Sequence, residues 1–246
     1  MSLPRVLVIR SGARPFGTVA GAEVMEYVSH TIEPVATEPA DWAGGFDTVI
    51  VTSQTAVERI ARDAAHTEAF RSVLESASLI AVGEATAELL RFHGYAPDDV
   101  AAGSARSVLE GLSESAAGRR VLWPSGAEAS LDLVSLLGER GARVRRVVLY
   151  RKRPTPQGPG LSAEVLVRNP AAFCATSPAA ADWLFAGLTP EAAEQLRATP
   201  AVALGSTTLE RLSALGVESV HAAPEARFRS AGTLLERLAT GRPGGA

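Results

Sequence analysis

The chain repeats itself, and the repeat dictates what it can fold into. Residues 80–88 read IAVGEATAE and residues 202–210 read VALGSTTLE. Each is an apolar run, a Gly and then a Thr: Gly83 with Thr86, Gly205 with Thr208. Upstream, Val49-Ile50-Val51-Thr52-Ser53 matches Ala172-Phe173-Cys174-Ala175-Thr176-Ser177, with one residue of slippage. Downstream, Ser104-Ala105-Arg106-Ser107-Val108-Leu109-Glu110 matches Ser230-Ala231-Gly232-Thr233-Leu234-Leu235-Glu236. The spacing between partners hardly changes across the three motifs. A third echo precedes each set: Arg5-Val6-Leu7 and Ser11-Gly12-Ala13 recur as Arg120-Val121-Leu122 and Ser125-Gly126-Ala127. Two similar domains follow, with matched hydroxyl- and glycine-bearing loops and a cleft between them.

A chain of 246 residues can build two such domains with real cores. Hydrophobic residues make up 46% and charged residues 21%, as in ordinary soluble proteins. The net charge of −3 argues against a nucleic-acid binder, which is normally basic. Cys174, the one cysteine, excludes an internal disulfide and sits in an apolar run, as a small core residue does. No stretch reaches the ~18 apolar residues of a membrane span, and MSLPRVLVIR reads directly as strand. The expectation is a cytoplasmic protein with no membrane partner.

Short apolar runs at 5–9, 48–51, 79–82, 120–123, 144–150, 173–175 and 202–204 alternate with helical patterns. That alternation predicts parallel sheets covered by helices. The segment SGARPFGTVAGAEV after the first strand is rich in Gly and Pro and leaves room for about two helical turns. Helices are expected to begin at Ser53, Glu84, Ser104, Ser177, Thr207 and Ser230, with Ser104 and Ser230 as caps.

Familiar catalytic motifs are absent: no P-loop, no G-x-G-x-x-G after a strand, no H-E-x-x-H. His30, His66, His93 and His221 are isolated, and no His/Cys cluster supports a metal site. What remains is a series of strand-to-helix turns. In open α/β sheets ligands bind beyond the carboxyl ends of the strands, where helix N-termini offer unpaired N–H groups to anions. Ser53, Gly83, Thr86, Ser104, Ser125, Gly126, Ser177, Gly205, Thr208 and Ser230 mark those turns. Each Ser or Thr taken alone reads first as a plain N-cap; it is their repetition on two matched domains that argues for a binding role of the set.

The stretches VIVTSQTAV, IAVGEATAELLRFHGY, RVLWPSGAEASLDLVSLLGERGARVRRVVLYR, CATSPAAADWL and VALGSTTLERLSALGV resemble the uroporphyrinogen-III synthase family. The resemblance implies two flavodoxin-like α/β domains joined by a two-stranded ladder. One domain is discontinuous, residues 1–35 plus 155–246; the other is continuous, residues 38–150. Crossings are expected near 31–39 and 151–159, where prolines favour extended chain. The implied reaction closes hydroxymethylbilane to uroporphyrinogen III, with inversion of ring D and loss of water, without a cofactor. The substrate carries eight carboxylates, and rows of helix N-termini suit it.

The resemblance also points to Tyr150, in VVLYR, as a proton donor to the departing hydroxyl. The competing reading is a Tyr that ends a strand with its hydroxyl in solvent. Arg10, which ends the first strand, and Ser11 are implied ligand contacts. Arg143, Arg145, Arg146, Arg151, Lys152 and Arg153 either attract the polyanion or form the solvated side of an edge strand. A monomer is expected. The rival function is a non-catalytic relative that binds a tetrapyrrole or small anion as a regulatory module.

Overall fold

The structure is a computed structural model that describes residues 2–12, 14–102, 108, 116–129, 132–158 and 160–241. Among these, the strands are β1 (Arg5–Ser11), β2 (Glu23–Pro34), β3 (Thr48–Val51), β4 (Ser78–Val82), β5 (Asp99–Ala101), β6 (Arg120–Gly126), β7 (Arg143–Pro154), β8 (Ala172–Ala175), β9 (Ala201–Ala203) and β10 (Val220–Ala222). The helices are α1 (Pro39–Trp42), α2 (Gln54–Arg62), α3 (Ala64–Leu74), α4 (Glu84–Phe92), α5 (Leu133–Gly138), α6 (Leu161–Arg168), α7 (Pro178–Ala186), α8 (Pro190–Ala198), α9 (Ser206–Ala214) and α10 (Phe228–Thr240). The fold is mixed α/β. It divides into two compact units: Met1–Ile32 with Arg153–Ala246, and Glu33–Lys152.

In the first unit the strands lie in the order β10-β9-β8-β1-β2, all parallel. β1 is central, and Val6, Leu7, Val8 and Ile9 are fully buried. That explains its continuous apolar run, since a parallel strand covered on both faces has no polar side. Successive side chains point to opposite faces. Leu7 and Ile9 join a core with Leu161, Val165, Leu184, Leu196 and Leu212. Val6 and Val8 face a second core with Phe16, Val19, Ala231 and Leu235.

The second unit has the order β7-β6-β3-β4-β5, again all parallel. Ile50, Ile80, Val121 and Trp123 pack on one face with Leu133 and Leu137 of α5. Thr86, Ala87 and Leu90 form the buried side of α4.

The two units repeat a fine detail. Between Arg10 and Ser11 the register with β2 slips, so that Ser11 lies opposite His30. Between Ser125 and Gly126 the register with β7 slips in the same way, so that Gly126 lies opposite Tyr150. Beyond each slip one amide closes the turn: Gly12 N–H donates to His30 O at 2.9 Å, and Ala127 N–H donates to Tyr150 O at 2.9 Å. Past these points β2 and β7 run on. Val35 N–H reaches Leu149 O at 3.0 Å, and Thr155 N–H reaches Ser29 O at 2.8 Å.

Two expectations are corrected. The short helix after the first strand does not form: residues 12 and 14–22 are loop. Gly12, Gly17 and Gly21 all adopt positive φ, which interrupts any helix there. Phe16 and Val19 fill the space instead, 7% and 4% exposed, and Phe16 meets Phe228 with ring centres 5.2 Å apart. Ser230 is not an N-cap either. α10 starts at Phe228 with Arg227 in the cap position, and the Ser230 hydroxyl accepts from Glu225 N–H at 3.2 Å. Packing of Phe228 on Phe16 draws the first turn forward. The expected cap at Ser104 lies outside the described residues.

Candidate functional site

Because every strand pairing in a unit is parallel, the carboxyl ends of its strands share one edge. In the second unit that edge carries Ser53 after β3, Gly83 after β4 and Ser125-Gly126 at the end of β6. In the first unit it carries Ser11 at the end of β1, Ser177 after β8 and Gly205 after β9.

Tyr150 is the centre of the second unit's group. Its hydroxyl and the Ser53 hydroxyl share a hydrogen bond of 3.0 Å. The side chain is not in solvent: Tyr150 is 5% exposed. Burial pushes the phenol above its ordinary pKa of 10.0, with Glu128 acting in the same direction. Hydrogen bonds from Ser53 and Thr55 and the field of Arg146 oppose the rise without cancelling it. The phenol is therefore a firmly protonated donor at neutral pH.

Its ring rests directly on Gly126. A Cβ at that position would lie 2.5 Å from the Tyr150 ring and 2.8 Å from its hydroxyl oxygen. Only glycine lets the ring cross the strand end there. Beside it Trp123 Nε1–H donates to Thr52 Oγ1 at 3.2 Å. Ser125 is buried, and its hydroxyl accepts from Arg146 Nε at 2.8 Å.

The helix starts differ in how they are finished. Ser177 caps α7 with its side chain, accepting from Ala180 N–H at 3.2 Å. Ser53 holds the cap position of α2 but spends its hydroxyl on Tyr150, so α2 has no side-chain cap. Gly83 and Gly205 precede α4 and α9 with no side chain to offer. The first N–H groups of α2, α4 and α9 thus carry no side-chain acceptor, which suits a carboxylate. Thr86 and Thr208 stand at the third position of α4 and α9, 5% and 2% exposed, so they belong to the interior.

Arg10 is 8% exposed and already engaged. It donates to Glu26 and to the carbonyl of Gly12. Ser11 and Ser29 hydroxyls pair at 3.2 Å, and Ser29 donates to Arg10 O at 3.0 Å. Of the basic cluster on β7, Arg145 donates to Ala40 O at 3.1 Å and also to Ala43 O, and it lies over Phe46. Arg146 is committed to the Ser125–Ala127 turn.

One feature escapes sequence reasoning. Glu225, Arg227, Arg229, Ser230, Thr233 and Arg237 are among the residues that line a groove of ≈ 320 Å³ at the start of α10, with Glu225 paired to Arg227 at 3.5 Å. The signal was the spacing of Arg229, Thr233 and Arg237 four residues apart, which places them along one helix face. Among the described residues no three His, Cys, Asp or Glu side chains are grouped as a metal site needs. Nor is any described helix long and apolar enough to cross a membrane.

Known proteins give the comparison. No curated protein matches the chain in sequence. Among solved structures, a mutant uroporphyrinogen III synthase from the extremely thermophilic bacterium Thermus thermophilus aligns with TM-score 0.67 and 23% identity, covering 97% of this chain and 100% of that one. The wild-type enzyme of the same organism aligns at 0.56 and 25% identity, over 97% and 98% of the two chains. The uroporphyrinogen-III synthetase of Helicobacter pylori aligns at 0.62 and 16% identity, over 94% and 98%. The family model described as uroporphyrinogen-III synthase HemD matches residues 18–231. With that match across most of its length, the chain belongs to the uroporphyrinogen-III synthase family.

Proposed function

We propose that this chain closes hydroxymethylbilane to uroporphyrinogen III, with ring D inverted and water released. The observation that carries the reading is the family match over residues 18–231. We read both units as flavodoxin-like, with the substrate held in a cleft between them. In support, the first unit's order, β10-β9-β8-β1-β2, is the doubly wound order of a flavodoxin. The second unit's order is the same with its starting strand moved along the chain.

The chemistry asks for two things. The terminal hydroxyl must leave, and the chain of four pyrroles must be held in a conformer that it does not adopt when it closes unaided. Tyr150 O–H gives its proton to the departing hydroxyl, which leaves as water. The carbon left cationic is attacked by ring D at the α-carbon that already carries its bridge to the neighbouring ring. That older bridge bond then breaks, and the bridge carbon it frees as a cation is captured by ring D's other, unsubstituted α-carbon, which leaves ring D inverted. That ring then sheds a proton, which restores the phenol, so no net acid is consumed. Ser53, hydrogen-bonded to the phenol, stabilises the transient phenolate.

Binding falls to the carboxylates. Backbone N–H groups at the starts of α2, α4 and α9, marked by Ser53, Gly83 and Gly205, take some of them. Ser11 and Ser230 add hydroxyls, Ser177 orders the start of α7 by capping it, and Arg229 and Arg237 in the groove add positive charge. Thr86, Thr208, Ser125, Gly126 and Arg10 shape these turns from behind. Holding the conformer is the larger part of the catalysis, because positioning decides which isomer forms.

The test is a coupled assay from porphobilinogen with a deaminase, resolving isomers I and III. The expected result is isomer III from the metal-free, cofactor-free protein. Isomer I alone, from protein shown to be folded, returns the chain to a binding module.

A further inference from the structure

We propose that Arg146 is the positioning residue of Tyr150: by clasping the Ser125–Ala127 turn it keeps Gly126 beneath the phenol ring and so fixes where the hydroxyl is presented. The proposal rests on the reading of Tyr150 as the proton donor.

An arginine on β7 would ordinarily extend into water. Arg146 instead lies over the Trp123 indole, 4.8 Å from the ring centre. From there it donates Nε to Ser125 Oγ at 2.8 Å and Nη2 to Ala127 O at 2.8 Å, and Nη2 also reaches Gly126 O. The reason lies in the register slip between Ser125 and Gly126. A bulge takes carbonyls out of the sheet ladder, and carbonyls withdrawn from water need donors. A guanidinium supplies several in one plane; an ammonium does not.

The contacts close a circuit. Arg146 holds Gly126 O and Ala127 O, Ala127 N–H holds Tyr150 O, Gly126 supports the ring, and the ring's hydroxyl meets Ser53. Loosening the first link lets the strand end rise into the ring. The first unit uses the same device at its own slip, from the opposite strand. Arg10 on β1 donates to Gly12 O, while Gly12 N–H holds His30 O. Two independent guanidinium clasps at matching bulges mark a built feature.

The test is a double-mutant cycle on the full chain, with Arg146→Met, Arg146→Lys and Tyr150→Phe, reading kcat and KM for isomer III. Arg146→Met is expected to lower kcat about tenfold or more, the scale of a misplaced catalytic group, with KM moving less than about twofold. Arg146→Lys recovers little of the loss, because charge without the fork cannot hold the turn. In the Tyr150→Phe background, Arg146→Met costs nothing further. Thermal melting shows which variants are folded; if Arg146→Met is not, Arg146→Lys takes its place in the cycle. The same fold-loss in both backgrounds, or wild-type kcat in Arg146→Lys, overturns the clasp. Wild-type kcat in Tyr150→Phe removes the donor itself, a separate outcome that takes the proposal with it.

Discussion

At the scale of single residues, Tyr150 and Gly126 act as one unit. Tyr150→Phe removes the proton donor and keeps the ring, so kcat should fall well beyond any change in KM. A steady-state comparison of the two constants checks it; equal kcat would return Tyr150 to a packing role. The pH profile follows from the direction of the phenol's shift. Burial raises it above 10.0, so the protonated form persists through the neutral and mildly alkaline range. Activity should be lost to Tyr150 ionisation only above pH 10, provided the protein is still folded by circular dichroism. Gly126→Ala makes a second case. Its Cβ would sit 2.5 Å from the Tyr150 ring, so ring or strand must move. Overpacking of this kind costs about 1–3 kcal/mol, and here kcat should fall together with the melting temperature. A Gly126→Ala enzyme with unchanged kcat would mean that the ring's seat does not matter. The donor role of Tyr150 is an expectation from the family resemblance, but its seat on Gly126 was not legible in the sequence. Ser125-Gly126 stood out because it echoes Ser11-Gly12. The contact of Gly126 with Tyr150 depends on a register slip, which no local pattern encodes.

At the scale of elements, the repeated Ser and Thr residues divide by what their hydroxyls touch. Ser177 caps α7, so Ser177→Ala should lower stability by about 1 kcal/mol and leave activity nearly intact. Ser53 stands at the equivalent place before α2, yet its hydroxyl serves Tyr150. Ser53→Ala should therefore cost less stability than Ser177→Ala. Because the Ser53 hydrogen bond lowers the Tyr150 pKa, its removal should move the alkaline limb of kcat upward. Urea titration of the two variants beside their pH profiles separates the roles; identical behaviour would show that Ser53 is only a cap. Sequence periodicity found the short buried strands well, since residues 49–51 of β3, 79–82 of β4, and all of β8 and β9 are unbroken apolar runs. It assigned no strand to residues 23–30. EVMEYVSH mixes charges with apolar residues because β2 buries only Met25 and Ser29 of that stretch deeply. The missing helix after β1 has the opposite lesson. Gly and Pro correctly argued against a long helix, while Phe16 and Val19 supplied the burial a helix would have given.

At the scale of the whole molecule, the order of the chain decides what can fold by itself. The first unit draws on both ends of the sequence, Met1–Ile32 and Arg153–Ala246. Its central strand comes from the short piece. β1 pairs with β8 on one side and β2 on the other. A fragment of residues 153–246 therefore lacks the middle of its sheet. Val6, Leu7, Val8 and Ile9 are all fully buried in the intact unit. Burying four such side chains contributes on the order of 6–12 kcal/mol at ~1.5–3 kcal/mol each. That is comparable to the whole net stability of a typical domain, about 5–15 kcal/mol. Removing β1 also uncovers Phe173, Cys174 and Ala175, which are fully buried against it and its neighbours. The fragment 153–246 should consequently show no cooperative melting. Addition of a peptide of residues 1–32 should restore both the melting transition and slow amide exchange at Phe173–Ala175. The Trp183 indole, which donates to Thr155 O at 2.7 Å within the same fragment, gives a fluorescence reporter for the restored packing. Cooperative unfolding of 153–246 without the peptide would show that helices α6 to α10 stabilise β8–β10 unaided, and that β1 is an addition to the first unit rather than its keystone.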